Sequence, residues 1–293
     1  MATHVAALSE SQMQDLEARL AEGDFERKEV PHARLALKGE GVSCTLYRSG
    51  KCVVQGKGLD QFLERYLPGE GEARIAQELD PERAVLAVGS DEAGKGDYFG
   101  PLVVAAVAYG PEYHAAFEDV RLGDSKKITA PVVRRGAKMI RDLLPHATVV
   151  LRPERYNQLY AEIGNLNRLL AWAHGAAIEK VLEQCDASLV IVDKFCEEPV
   201  LRRAFKPRAR AARLSLRPRA ESHPAVGAAS MLASDVFWRE LERLGREFDL
   251  TLPKGAGDPV DAAARRLVKA RGEGVLAKVA KLHFKTTQKV LGS

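Results

Sequence analysis

The chain has 293 residues, 46% of them apolar, 29% charged and 6% aromatic, with 44 Lys plus Arg against 40 Asp plus Glu. That balance, with no low-complexity tract, excludes a disordered chain, a collagen-like repeat and a small disulfide scaffold, and the length suits one large domain or two modest ones. The net charge of +4 hides an asymmetry: residues 1–82 carry 10 basic and 15 acidic side chains, and residues 83–293 carry 34 and 25.

In chain order, residues 9–21 open with a cap-like Ser9 and space Met13, Leu16 and Leu20 as one helical face. From Arg34 the sequence RLALKGEGVSCTLYRSGKCVVQGKG alternates between apolar and polar residues, with KGEG and RSGK as turn chemistry between short strands. LDQFLERYL then closes this helix, meander, helix unit as a second helix. The Pro68-Gly69-Glu70-Gly71 stretch and the new apolar segment after Pro81 set a boundary near Asp80. Beyond it, apolar strands at 84–90, 102–109, 147–151 and 189–193 alternate with helices expected at 130–144, 165–184, 224–246 and 259–270, with 272–282 as a weaker one. That alternation means α/β. A basic strand is also expected over 208–216.

The longest apolar run, residues 101–109, is far below the roughly 20 residues of a membrane span. The first ten residues lack the basic start and apolar stretch of a signal peptide, so a cytoplasmic chain is expected, with no membrane partner. Cys44, Cys52, Cys185 and Cys196 form no CxxC pair and read as reduced residues.

Asp91 and Glu92 directly follow an apolar strand and precede Gly94-Lys95-Gly96, and Asp193 ends the run LVIVD. Two different strands thus each deliver acid where apolar character stops. Carboxylates gathered this way repel one another unless a hard cation neutralises them, and Mg²⁺ or Mn²⁺ prefers such oxygen ligands. Helix caps or solvated loop acids are the bland alternative for any one of them. The spacing alone supports a metal-dependent enzyme and no more.

The residues themselves carry a resemblance. GSDEAGKGDYFGPLVVAAV resembles the first motif of the type 2 ribonucleases H, and within that superfamily the likeness is greatest to ribonuclease HIII. LGDSKKIT, the NxN with AWAH at Asn165, Asn167, Trp172 and His174, ESHPAVGAASMLAS, LPKGAG and AKLHFKTT follow in the family's order. Residues 1–80 resemble the TATA-binding-protein-like domain that this family carries. The resemblance implies an α/β fold: a ribonuclease H-like mixed sheet flanked by helices over 81–293, preceded by a small α+β TATA-binding-protein-like domain over 1–80.

It further implies a monomeric endoribonuclease that cuts the RNA strand of an RNA–DNA hybrid duplex by two-metal-ion catalysis, leaving 5′-phosphate and 3′-hydroxyl ends. Residue by residue, Asp91, Glu92 and Asp193 match the first three metal-binding catalytic acids. Glu221, just before HPAVGAAS, matches the fourth, with Asp235 as runner-up. His174 and His283 are not needed as bases, although His283 lies in a family-like motif. Gly94, Lys95 and Gly96 match the loop that reads the 2′-hydroxyl, where a backbone without Cβ atoms can approach a ribose; in isolation they would read as a turn. Ser125 and Lys126 are candidates for phosphate contact, against a helix cap with surface lysines. In the N-terminal sheet Lys38, Arg48, Lys51 and Lys57 are candidate duplex contacts, against plain solvated lysines. The basic run from Arg202 to Arg219 fits nucleic acid and also a solvated face.

Two alternatives stand beside this reading: cleavage at single ribonucleotides embedded in DNA, as in ribonuclease HII, and a non-catalytic nucleic-acid-binding protein on a nuclease fold.

Overall fold

A computed structural model of the chain describes residues 3–67, 82–120, 122, 123 and 128–292. Two units, Met1–Asp80 and Pro81–Ser293, each hold a five-stranded sheet.

In the first unit the elements are β1 (Thr3–Ala7), α1 (Glu10–Leu20), β2 (Phe25–Arg27), β3 (Ala33–Gly39), β4 (Val42–Tyr47), β5 (Lys51–Gly56) and α2 (Leu59–Tyr66). The sheet is antiparallel throughout, in the order β1-β5-β4-β3-β2. Ser9 starts α1 with a capping box: its Oγ accepts from the Gln12 N–H at 3.3 Å and its own N–H donates to Gln12 Oε1 at 2.9 Å. Met13, Leu16 and Leu20 of α1 and Phe62, Leu63 and Tyr66 of α2 bury one sheet face through Leu37, Cys44, Leu46, Cys52 and Val54. Positive φ at Glu40 and Gly41 makes the KGEG hairpin turn. The cysteines are free thiols.

Strand alternation leaves Lys38 and Lys51 exposed on the face away from the helices, with Ser43, Gln55 and the half-exposed Val5 sharing that face. Arg48 and Lys57 sit in turns at the ends of the strands. The edge strands β1 and β2 were not among the expected elements; each is short and lacks a run of alternating residues.

The second unit runs β6 (Ala87–Ala93), β7 (Leu102–Tyr109), α3 (Ala130–Leu143), β8 (His146–Leu151), α4 (Pro153–Ile163), α5 (Leu166–Leu182), β9 (Leu189–Asp193), α6 (Glu198–Ala204), α7 (Pro207–Ala211), β10 (Arg213–Arg217), α8 (Pro224–Glu247), α9 (Asp258–Arg271), α10 (Val275–Val279) and α11 (Lys285–Leu291). The sheet order is β10-β9-β6-β7-β8, with β6, β9 and β10 parallel and β7 antiparallel to both neighbours. Every residue of β7 is buried. Val103, Ala105 and Val107 pack with α3 and α8, and Leu102, Val104, Ala106 and Ala108 pack with α5. A continuous apolar run is what a strand covered on both faces requires.

Three expectations change. The strand expected at 84–90 spans Ala87–Ala93, so Asp91 and Glu92 lie within β6 rather than after it. The basic strand is shorter and preceded by helix α7, because the buried Glu179 carboxylate accepts the N–H groups of Arg208 and Ala209 at its start. The weak helix at 272–282 shrinks to α10, since Ala280 turns extended and bridges Phe99.

Candidate active site

Pairing of β6 with β9 ends at Ser90↔Val192, and the next residue on each strand is an acid, Asp91 and Asp193. Alternation along β6 sends its two carboxylates to opposite faces. Asp91 meets Ser230 of α8, whereas Glu92 meets His174 of α5 at 3.3 Å. Glu221 arrives from elsewhere. It sits on a short 3₁₀ turn, Ala220–Ser222, entered through Arg219 in the left-handed region at φ 57. Asp193 Oδ1 accepts the Ala220 N–H at 3.1 Å, and Arg83 Nη2 donates to the Ser222 carbonyl at 2.7 Å.

The next residue, His223, caps α8 by accepting the Ala225 N–H at Nδ1. Gly89 lets this helix lie against β6: a Cβ there would stand 2.2 Å from the Ala225 carbonyl carbon.

Asp91, Glu92, Asp193 and Glu221 therefore line one pocket of about 720 Å³, with Gly94, Lys95 and Gly96 on its wall beside Ser230, Ser234, Trp238 and Lys254. Gly94 has φ +86, and a Cβ would meet the Pro101 carbonyl at 2.2 Å, so the protein's own packing requires glycine. Gly96 differs: a Cβ there would meet nothing within 4 Å. Lys95 folds back onto Glu92, Nζ to Oε1 at 3.2 Å. Ser125 and Lys126 lie outside the described residues.

The runner-up, Asp235, is not on this pocket. It is fully buried on α8, and its Oδ2 takes Arg141 Nη1 and Arg239 Nε, each at 2.9 Å. His283 is absent from the pocket wall as well; it stacks on Tyr160 with ring centroids 4.3 Å apart.

The two acids of β6 diverge electrostatically. Burial pushes the Asp91 carboxyl up to about 7, reinforced by the charges of Glu92 and Asp193 and opposed by the Ser230 hydrogen bond. Burial raises Glu92 too, but His174 and Lys95 outweigh it and hold this carboxyl down to about 2. His174 is oriented in turn. The Ser90 hydroxyl donates to the Ala105 carbonyl at 2.9 Å, so its oxygen accepts the His174 Nδ1–H at 2.7 Å, and a ring that also carries a proton on Nε2 turns that N–H toward Glu92. The ring stacks on Phe195 at 4.8 Å.

Asp91 decides whether these residues suit a divalent cation. A buried carboxylate crowded by two others is held against its charged form, and a hard cation relieves that penalty. The donor set is all carboxylate oxygen, which Mg²⁺ and Mn²⁺ favour. Among the described residues no group of three or more His, Cys, Asp or Glu side chains stands drawn together so as to hold a metal ion by itself. The acids line an open wall and fit a cation that also takes water or substrate oxygens.

Sequence reasoning missed Ser230, Ser234 and Trp238. They follow one another at four-residue steps, so they form a single stripe on α8, and two serines four apart in an otherwise Ala-rich segment were the available signal. Lys254 stands over the Trp238 ring at 4.8 Å, which places the lysine named in LPKGAG on this pocket.

Comparison with known proteins now adds the family. The family model described as Ribonuclease HII matches residues 88–287, and the Domain of unknown function (DUF3378) matches 3–77. Ribonuclease HIII of Chlamydia pneumoniae is 37% identical over 98% of this chain and 97% of its own length. The chain belongs to the ribonuclease HIII family. Ribonuclease HIII of Protochlamydia amoebophila is also 37% identical, over 89% of this chain and 87% of its own. Among solved structures, Bst-RNase HIII in complex with Mn²⁺ superposes with a TM-score of 0.70 at 32% identity, covering 99% of this chain and 98% of that one. Aquifex aeolicus RNase H3 gives 0.57 at 26% identity over 95% and 99%. The ribonuclease HIII fold expected from sequence, a helix-flanked mixed sheet preceded by a small antiparallel α+β unit, is the fold observed. Among the described residues no helix is long and apolar enough to cross a membrane.

Proposed function

We propose that this chain is a metal-dependent endoribonuclease that hydrolyses the RNA strand of RNA–DNA hybrids and leaves 5′-phosphate and 3′-hydroxyl ends. The observation that carries the reading is the meeting of four acids from three separate segments in one pocket, beside a glycine loop, in a chain of the ribonuclease HIII family. Asp91, Glu92, Asp193 and Glu221 are the residues that would hold Mg²⁺ or Mn²⁺. Such cations, when bound, lower the pKa of the attacking water and stabilise the departing 3′ oxygen.

The protein's own groups do the rest. Ser230 orients Asp91, His174 and Lys95 keep Glu92 ionised, and Asp193 steadies the turn of Glu221. The open space over Gly96 leaves room for a ribose to approach the backbone. Its N–H and C=O groups supply the hydrogen bonds that distinguish a 2′-hydroxyl from hydrogen. Lys95 is placed to exchange Glu92 for a phosphate when substrate and cation arrive. Ser125 and Lys126 contribute phosphate contacts, and the 1–80 unit holds the duplex through Lys38 and Lys51, supported by Arg48 and Lys57. The 81–293 unit is the catalytic domain of a cytoplasmic monomer.

The test uses three labelled duplexes: a continuous hybrid, a DNA duplex with one ribonucleotide, and plain DNA. Cleavage of the hybrid in Mg²⁺ or Mn²⁺, lost in excess EDTA, is expected. Efficient cutting at the single ribonucleotide would instead assign the activity of a ribonuclease HII, and no cleavage of any duplex would leave a binding protein.

A further inference from the structure

Lys281 takes no part in that chemistry, yet its side chain is completely enclosed. A buried ammonium is unfavourable unless each N–H finds an acceptor. Here the acceptors are all main-chain carbonyls of one turn: Asp97 O at 2.7 Å, Gly100 O at 2.8 Å and Phe99 O at 3.4 Å. The Lys281 N–H also donates to the Tyr98 carbonyl, and the Gly100 N–H to the Val279 carbonyl, each at 2.9 Å. The same turn is tied to a third segment, for Asp97 Oδ1 accepts the Gly255 N–H at 2.6 Å and the Tyr98 N–H donates to the Gly255 carbonyl at 2.8 Å. From the other side Asn157 of α4 fixes the segment that carries Lys281. Its Nδ2 donates to the Ala280 carbonyl and its Oδ1 accepts the Leu282 N–H, both at 2.9 Å.

These bonds leave Gly94, Lys95 and Gly96 as a three-residue span between two fixed points, the end of β6 at Ala93 and the clamped turn that starts at Asp97. Glycine-rich backbone is otherwise free to sample many conformations, and recognition by such a loop depends on its being held in one. Packing alone does not account for the ammonium: an apolar side chain of the same length would fill the space but would bond none of the three carbonyls.

We propose that Lys281 is a positioning residue for ribose recognition: its ammonium locks the carbonyls of the 97–100 turn and so sets the backbone of Gly94, Lys95 and Gly96 against the 2′-hydroxyl of the RNA strand. The inference rests on the reading of that loop as the ribose reader.

The experiment measures how strongly the full chain, made inactive by Asp193→Asn, prefers an RNA–DNA hybrid over a DNA duplex of the same sequence. Lys281→Met keeps the length of the side chain and removes its hydrogen bonds. Its preference for hybrid is expected to fall about tenfold, the worth of one well-formed hydrogen bond, with Mn²⁺ affinity by calorimetry unchanged. Asn157→Ala loosens the same clamp without touching the buried charge and is expected to lower the preference in the same direction, which keeps the test decisive if Lys281→Met does not fold. Gly96→Ala, where a methyl group meets no protein atom, separates the two readings. Lost preference in Gly96→Ala with unchanged preference in a folded Lys281→Met, or in Asn157→Ala, would overturn the role of Lys281 alone. Unchanged preference in Gly96→Ala would overturn the ribose-reading loop and this inference with it.

Discussion

The Asp193 carboxylate accepts the backbone N–H of Ala220 at 3.1 Å, one residue before Glu221. The third acid thus holds the turn that presents the fourth. Substitution at Asp193 is therefore expected to remove one carboxylate and to displace another. Asp193→Ala, which removes the acceptor that an asparagine would keep, and Glu221→Gln should each lower kcat by on the order of 10² or more, and the double variant should lose far less than the product of the two. A double-mutant cycle on hybrid cleavage measures this coupling. Multiplicative losses would show that the two acids act independently.

Asp235 is expected to behave differently from Glu221. Its carboxylate is fully buried and bonded to Arg141 and Arg239, so Asp235→Asn leaves two guanidinium groups without their anion. Both arginines reach solvent, which limits the loss to about 2 kcal/mol of stability. Urea unfolding should record that loss while kcat at a permissive temperature stays within a few fold of the parent. A collapse of kcat in a stable Asp235→Asn protein would move the fourth acid to Asp235.

The divergence of Asp91 and Glu92 sets a pH dependence with a definite sign. Asp91 titrates near 7 in the folded protein, above its usual value of about 3.9. Its contribution to stability is full below about pH 4 and is lost as pH rises through 7. Glu92 is lowered to about 2, so its contribution is present above the usual value and lost only as pH falls toward 2. Between pH 5 and 8 Asp91 lowers stability as pH rises, against an opposite trend from Lys281 and His283, whose pKa values burial lowers. The metal-free protein should melt at lower temperature as pH rises across that window, relative to Asp91→Asn. Mn²⁺, competing with the proton, should raise Tm more at pH 8 than at pH 5, by on the order of 5 °C. Melting curves in EDTA and in Mn²⁺ at both pH values provide the check; a shift that persists in Asp91→Asn would assign the titration elsewhere.

Lys38 and Lys51 share the exposed face of the N-terminal sheet. If that face holds the duplex, Lys38→Gln with Lys51→Gln should weaken hybrid binding and flatten its salt dependence by about two units of slope, roughly one for each phosphate that is no longer neutralised. Because such binding is present before and during chemistry, KM should rise with kcat little changed. A salt titration in the Asp193→Asn background reads the slope, and equal slopes would make the unit a partner-binding or structural module.

The sequence was most legible where apolar periodicity and turn chemistry agreed. β7 and β9 span the apolar runs from which they are expected, and α1 begins just after its capping serine. It was least legible where a distant group decides local structure. Helix α7 exists within a basic run because Glu179, some thirty residues earlier, caps it, and Ala280 leaves helical geometry to pair with Phe99. The same holds for the site. Asp91, Glu92 and Asp193 announce themselves by ending apolar strands. Glu221 is identified only through its motif, since nothing in its neighbours reveals that a hydrogen bond from Ala220 to Asp193 brings it to the pocket. Ser230 and Lys281 carry no local mark of what they touch.

Strand β10 is one of the two edge strands of the second unit's sheet, and the turn of Glu221 follows closely from its end. Edge strands open before the strands they flank. Fraying there would detach Glu221 and slacken Asp193 while β6 and β7, sealed between two helical layers, stayed paired. Warming the protein should therefore silence the enzyme several degrees before circular dichroism registers any melting, and cooling should restore it without refolding. Thermal tolerance of this nuclease is then a property of one margin of the sheet, and tightening that margin would raise the working temperature without altering the core.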